Sequence, residues 1–506
     1  MKLSFRPSPA FVRDMTGGHS ALGLFLSTLL YIVCVSGTLA VFYPEFERWE
    51  QASAGEMLTV EADVYRRAAR EALAGIPADG EQPGVIRFTA PTAEMPRMLV
   101  EVGEREHFVG GNGTLREQVT HEWTDFLVYL HFALNLPVGL GVPVVGLIGV
   151  LMAALIISGL LAHPNIVREA FSLRGRGSAR RRQVDLHNRL GVWAAPFHLM
   201  IALTGAFIGL ATVFAFAIAQ VFYSGDVERV HHLLFRDVPE AKAEASAVPV
   251  PDFAPALASL ARIAPGREPF RISLHNPGRV GQLFEITTRV PGRLVWGERF
   301  YFNADGASLG RDGWSDGSAG KQVYASSFRL HFGHYGGFAV KVAYFLLGLG
   351  MCALVVSGIN IWLLRKRQRG FPRERLERIW VAQVWGVPLL IAAAALGQLV
   401  LGLPPLPVFW GGILGLSLVA AFRGSCAGWS WYLRLAVALV AMGVVGAHLG
   451  RFGAGAIHGG ALVGNLVWLL CALGFGLSCW FRDGRQRVAR PGEAVSGEPA
   501  ATPDSG

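Results

Sequence analysis

"HSALGLFLSTLLYIVCVSG", residues 19–37, and "HNRLGVWAAPFHLMIALTG", residues 187–205, align without a gap. Each opens on histidine, places glycine four residues on, and closes on a Ser-Gly or Thr-Gly pair. Both are apolar enough to enter a bilayer, so the repeated element is a membrane helix headed by an imidazole. A second match sets "LHFALNLPVGLG…IISG" from Leu130 against "LHFGHYGG…VVSG" from Leu330, with one residue of slippage between His and the closing Gly. The unit is helix, polar segment, helix, and it is used twice.

The rest of the chain agrees with a membrane setting. Of 506 residues, 52% are hydrophobic and only 16% charged, with 62 glycines and a mean hydropathy of +0.38. That balance is far from a soluble globular chain and fits a polytopic helical membrane protein. Stretches long enough to span lie near 20–43, 140–162, 190–222, 338–364, 379–402, 405–422, 430–449 and 461–481. The net charge of +9 does not point to nucleic acid, because the basic residues sit in short runs beside the spans. Arg174, Arg176, Arg180, Arg181 and Arg182 precede the third, "RKRQRGFPRER" follows the fourth and "RDGRQRVAR" the eighth. By the positive-inside rule these runs are cytoplasmic, both termini lie inside, and two long polar segments face outward.

The expected organisation is a first helix through residue 43, an outside module over 44–122, and helices two and three with a basic loop over 123–222. A second module over 223–328 and a fourth helix over 329–370 complete the repeat; four further helices occupy 371–482 and a tail 483–506. Lys2, Arg6 and Arg13 precede an apolar run longer than a signal-peptide core, without a small-residue cleavage site before Tyr43, so the segment reads as an uncleaved anchor. The tail "RPGEAVSGEPAATPDSG" has a composition that does not pack, and is expected to be disordered. Cys34, Cys352, Cys426, Cys471 and Cys479 fall in spans or a cytoplasmic loop, which excludes a disulfide framework, and no CxxCH motif is present for covalent haem.

Each outside segment reads as a small α+β module. "VEADVYRRAAREALAG" has helical spacing and is followed by strand-like "GVIRFTA", "RMLVEVG" and "EHFVGG"; "DFAPALASLARIA" is followed by "FRISLHN", "QLFEITTRV" and "ERFYFNADG". Neither carries a Ser-His-Asp pattern, a HExxH or a phosphate loop, and no GxGxxG stands in a strand-helix context, so bound nicotinamide or flavin is not expected.

The histidines carry the chemistry. Neutral imidazole is a strong axial ligand for haem iron, and a helix bundle can enclose the ring if ligands approach from opposite faces. His19 and His187 are equivalent in the repeat, both at the cytoplasmic edge, and a two-fold relation sets them face to face across one iron. His131 and His331 are the equivalent outer residues. His198 has no counterpart, since Leu30 stands at its place in the first repeat; it is a further candidate for the outer haem, with His331 or His131. On a straight helix, eleven residues bring His198 back to nearly the face of His187, roughly 16 Å along the axis. Singly, His19 and His187 read as cheap interfacial residues; their repetition argues for ligation. The expected set is therefore His19, His131, His187, His198 and His331, binding two non-covalent b haems. His334 reads as secondary, while His107, His121, His231, His232 and His275 read as solvated surface. Arg329 and Lys341 flank the outer histidines, where surface or snorkelling roles are expected ahead of pairing with propionates or an anionic chelate. His448 and His458 are placed near an outer loop, and the last four spans read as structural or partner-binding.

The "LHF" elements, the "DLHNRLGVWAAPFHLMIALTG" segment and the Ser-Gly or Thr-Gly closures over residues 1 to about 370 resemble the PepSY-associated transmembrane helix proteins. The resemblance implies a bacterial inner-membrane protein with two PepSY-like periplasmic modules and an electron route to a ferric chelate, such as a ferric siderophore, in the periplasm. A quinol or a membrane dehydrogenase is the implied donor, and ferric-chelate reduction the implied activity. Four helices beyond the family's minimal pattern leave the donor open. The alternative is a non-redox membrane protein whose modules bind peptides or regulate a protease. A metal or siderophore transporter is weakened by the lack of carboxylates within the core spans.

Overall fold

The computed structural model describes residues 8–76, 82–162, 179–235, 238–239, 244–423 and 428–488. Lys2, Arg6, Arg174, Arg176, Cys426 and the tail from residue 489 lie outside the described residues. The first repeat consists of α1 (Pro9–Ala40), α2 (Tyr43–Glu50), α3 (Ala62–Ala74), β1 (Val85–Thr89), β2 (Leu99–Val102), β3 (Arg105–Val109), β4 (Leu115–Gln118), α4 (Glu122–Ala133) and α5 (Val138–Leu161). The second consists of α6 (Ala179–Trp193), α7 (Ala195–Gly209), α8 (Ala211–Phe222), α9 (Val227–Leu234), β5 (Glu244–Ala247), α10 (Ala254–Ile263), β6 (Pro269–His275) and β7 (Arg279–Val280), then β8 (Leu283–Thr288), β9 (Glu298–Asn303), β10 (Ser308–Asp312), α11 (Ala319–Phe332) and α12 (Gly337–Gln368). Four helices follow: α13 (Glu374–Leu401), α14 (Pro405–Phe422), α15 (Trp429–Phe452) and α16 (Gly459–Val488).

Among the described residues, seven helices are long and apolar enough to cross a membrane, and the bent pair α6–α7 makes an eighth. That pair corrects the straight third span expected from composition. The axis turns by 67° at Ala194, and a further break at Leu210 separates α8. Pro196 is the physical reason for the first break: it has no N–H to give the preceding turn and its ring collides with the carbonyl four residues back. The first repeat has Thr28 at the matching place, and α1 runs unbroken for 32 residues. His187 and His198 therefore lie on differently directed helices, and the eleven-residue argument for a shared face fails.

Small residues set the helix packing, which exchanges partners between the repeats. A Cβ on Gly348 of α12 would lie 2.5 Å from Thr38 Oγ1 of α1, and one on Gly146 of α5 would lie 2.8 Å from the Gly209 backbone of α7. Close backbone approach of this kind is how helices associate in lipid, where no hydrophobic force drives them together.

Each polar segment forms one helix and four main strands, but the two are not separate modules. Strands β10-β9-β8-β6-β1-β2-β3-β4 make one eight-stranded sheet, joined at its centre by antiparallel pairing of β1 with β6, from Val85 opposite His275 to Thr89 opposite Arg271. Each four-stranded half would otherwise expose an unpaired edge, and pairing the two edges satisfies both rows of backbone groups. Ile86, Phe88, Ile272 and Leu274 from the joint are fully buried beneath α3 and α10, where Tyr65 stacks on Phe253 at 5.6 Å. One core serves both halves.

The four added helices pack on the first repeat. Tyr31 donates to the Val384 carbonyl, Thr28 to Gln383 and Trp123 Nε1 to the Ile391 carbonyl. His448 stands in the last turns of α15 beside the loop that follows, as expected, but it is wholly buried. It stacks on Trp49 at 4.7 Å, hydrogen-bonds the Trp49 carbonyl through Nε2 and meets Asn465 through Nδ1. A fully satisfied polar network of this kind fixes one docking geometry. His121 also departs from the solvated surface: it is 9% exposed, and burial, then Arg97, pulls its pKa down to about 4.

Candidate functional site

α4 and α11 leave the sheet directly and end in left-handed residues, Leu134 (φ 53°) and Gly333 (φ 71°), that turn the chain into α5 and α12. His131 and His331 lie on the last turns of these two helices. Their rings face each other with centroids 6.0 Å apart and planes 20° from parallel. At the end of the bundle away from the sheet, His19 of α1 and His187 of α6 face each other with centroids 6.2 Å apart and planes at 77°. Each pair takes one residue from each repeat.

All four imidazoles are oriented by the same device. His19 Nδ1 lies 3.0 Å from the Leu155 carbonyl and 3.3 Å from Ser158 Oγ; His187 Nδ1 lies 3.1 Å from the Leu354 carbonyl and 3.0 Å from Ser357 Oγ. His131 Nδ1 lies 3.0 Å from the Val33 carbonyl. His331 Nδ1 lies 3.1 Å from Thr204 Oγ1, whose own proton goes to the Met200 carbonyl. A carbonyl only accepts, so Nδ1 carries the proton and Nε2 keeps its lone pair; this is the tautomer of an Nε2 metal ligand.

The closing Ser-Gly or Thr-Gly pairs are the seats of these rings. A Cβ added to Gly37 would lie 2.4 Å from His131 Cε1, and one on Gly205 2.8 Å from His331 Cε1. At the other end, Gly159 faces His19 at 3.1 Å and Gly358 faces His187 at 3.3 Å. The repeated motif thus encodes a cradle for a histidine on another helix, which the sequence displayed without disclosing its use.

The residues fit the cofactor expected of them. Metal–imidazole bonds of about 2 Å to Nε2 on both sides of one iron hold the two ring centroids roughly 6 Å apart, which is the separation of both pairs. Along α1, Val33, the partner of His131, is fourteen residues from His19, or about 21 Å of helix rise, against roughly 30 Å of hydrocarbon. The two pairs therefore lie toward opposite ends of the bundle.

His198 belongs to neither pair. It is 1% exposed, its Nε2 is 3.2 Å from the Leu347 carbonyl, and its ring packs edge-on to Phe197. Lys341 is neither at the surface nor snorkelling: at 2% exposure it pairs with Glu45 at 2.8 Å, tying α12 to α2. Glu45 has no signal in the sequence that would have marked it. Arg329 donates to the backbone carbonyls of His334 and Arg293.

Fold and site together define a multi-pass helical membrane protein built on an internal duplication, with a joined sheet domain and two imidazole pairs in its bundle. The chain belongs to the PepSY-associated TM region family, whose sequence model matches residues 18–365. It is also similar to the uncharacterized protein PA4219 of Pseudomonas aeruginosa, with 31% identity over 311 residues, 59% of this chain and 78% of that one.

Proposed function

We propose that this protein conducts single electrons across a bacterial inner membrane and reduces a ferric chelate, such as a ferric siderophore, on the periplasmic side. In this reading both termini are cytoplasmic and the sheet is periplasmic, as the arginine-rich runs beside the sheet-distal ends of the helices suggest. The observation that carries the proposal is the pair of facing imidazole sets, each at the centroid separation of a doubly ligated iron and each with Nε2 left free by an Nδ1 hydrogen bond.

Haem b held by His19 with His187 and by His131 with His331 would supply one-electron redox chemistry at each end of the bundle. The chain's residues do the rest. Nδ1 hydrogen bonds fix ring orientation and raise the basicity of Nε2, the four glycines leave room for the rings, and apolar helices exclude water. A membrane quinol, oxidised to quinone with release of two protons, balances the reduction of two Fe(III) to Fe(II); a membrane dehydrogenase is the other donor class. Ferrous iron then leaves oxygen ligands that favour the ferric ion. His198 is assigned no axial position, because its Nε2 is committed to the Leu347 carbonyl.

The test is haem stoichiometry. Purified protein from haem-sufficient cells is expected to hold two b haems per chain. His187→Ala and His331→Ala are each expected to lose one, and His198→Leu to keep both. Colourless protein, or histidine variants that retain both haems, would overturn the assignment.

A further inference from the structure

Beside His331 the sheet domain and the bundle border an open-mouthed cavity of about 480 Å³, within the size range of small-molecule sites. Its walls are aromatic to an unusual degree. Tyr324, Phe328 and Phe332 form one stripe at four-residue spacing on α11, and Phe235, Trp296 and Trp314 face them from the second half of the sheet domain. Phe235 lies 5.4 Å from Trp314 and 5.8 Å from Tyr324, and Trp296 lies 4.8 Å from Trp314. Phe332, 42% exposed, meets the His331 ring edge-on at 5.8 Å. The cavity is therefore one side chain from the sheet-proximal histidine pair.

Its polar groups favour an anion. Arg289 and Arg329 line it, and both continue into an adjoining cleft of about 450 Å³ that adds Arg293. Glu94, 3.5 Å from Arg289, and Glu268 offset two of these charges, leaving one guanidinium in excess. His334 lines the same cavity, its ring tilted against Tyr43 at 5.5 Å and stacked on Phe332 at 5.8 Å.

We propose that this cavity is the acceptor site and that it takes a ferric chelate whose iron is held by aromatic ring oxygens, catecholate or phenolate, in preference to an aliphatic hydroxamate or carboxylate chelate. Planar rings stack on the Trp and Phe walls, and the anionic oxygens meet Arg289 and Arg329. The inference rests on the electron-transfer reading for its iron. One electron from the quinol-derived flow converts bound Fe(III) to Fe(II), and the freed ring oxygens take protons from water as the complex opens.

Gallium(III) chelates separate binding from reduction, because gallium accepts no electron. Calorimetry on the detergent-solubilised full chain is expected to show the gallium complex of 2,3-dihydroxybenzoate binding about tenfold or more tighter than gallium citrate, gallium acetohydroxamate or free 2,3-dihydroxybenzoate. Trp296→Leu, Tyr324→Leu and Arg289→Gln are each expected to weaken it about tenfold while haem content and melting temperature hold. Equal affinity for citrate, acetohydroxamate or the free acid, or variants that bind as well as the parent, overturns the proposal. Binding with no haem in the protein would sink the electron-transfer reading alone.

Discussion

Replacing Gly37 by alanine is the sharpest perturbation the site offers. The new Cβ would lie 2.4 Å from His131 Cε1 and 2.6 Å from its Nδ1, whereas non-bonded carbons rest at about 3.5–4.0 Å. The ring must retreat by about 1 Å, and the retreat breaks its 3.0 Å bond to the Val33 carbonyl, which stands on the same helix as the intruding methyl. Overpacking costs about 1–3 kcal/mol and the lost hydrogen bond about 1 more. A total of about 2–4 kcal/mol weakens the sheet-proximal haem roughly 30- to 700-fold. The matching change at Gly358, where the Cβ meets His187 Cε1 at 3.3 Å, needs a shift of only tenths of an ångström. Haem per chain, read as the pyridine haemochrome, is expected to fall most for Gly37→Ala, less for Gly205→Ala, and least for Gly159→Ala and Gly358→Ala. In a His131→Ala background the Gly37 substitution should cost nothing further, since the two changes act on one contact. Two haems with an unchanged spectrum in Gly37→Ala would refute the cradle.

Two other predictions concern the frame around the site. Lys341→Met leaves Glu45 buried without its cation and should destabilise the protein by about 3–5 kcal/mol, whereas Lys341→Met with Glu45→Gln should recover most of this; equal melting temperatures for single and double variants would contradict it. Burial, then Asp125, Glu106 and Glu50, pushes the Glu47 carboxyl up to about 8, and burial pushes Glu50 up to about 7 despite its bonds to the Trp123 and Thr124 amides. Between about pH 4.5 and these values the folded state holds more protons than the unfolded one, so stability falls as pH rises, by up to about 1.4 kcal/mol per pH unit for each carboxyl. Chemical denaturation at pH 5, 6.5 and 8 should show that decline in the parent and a shallower one in Glu47→Gln; parallel slopes would remove Glu47 as its source.

What could be read from the chain was whatever local pattern carries. The apolar runs gave the spans, and the ungapped match of His19–Gly37 to His187–Gly205 gave the two-fold relation that brings equivalent histidines together. The closing glycines were visible as a pattern but not as contacts, because the imidazole each receives stands on another helix. Pro196 was equally visible, yet treating 187–205 as one rod hid its effect on His198. The joint between β1 and β6 had no local signal at all, since strand edges nearly 190 residues apart find each other only through the tertiary fold. Likewise the burial of Lys341 and His448 depends on partners far along the chain, Glu45 and Trp49 among them.

The exchange of partners between repeats explains why the duplication is kept within one chain. Neither repeat can form an imidazole pair by itself, since each pair takes one histidine from each copy. The spacing within a pair is therefore set by the registry of the two copies. That registry is held at one end by the β1–β6 joint and the Glu45–Lys341 ion pair, and through the bundle by glycine contacts of α1 with α12 and α5 with α7. Side chains alternate faces along each strand, so a slip of one residue at the joint would turn either Ile86 and Phe88 or Ile272 and Leu274 out of the shared core, and that penalty opposes any drift of the copies. The continuous sheet, besides walling the cavity beside His331, acts as the clasp that keeps two halves of a divided site at a working distance.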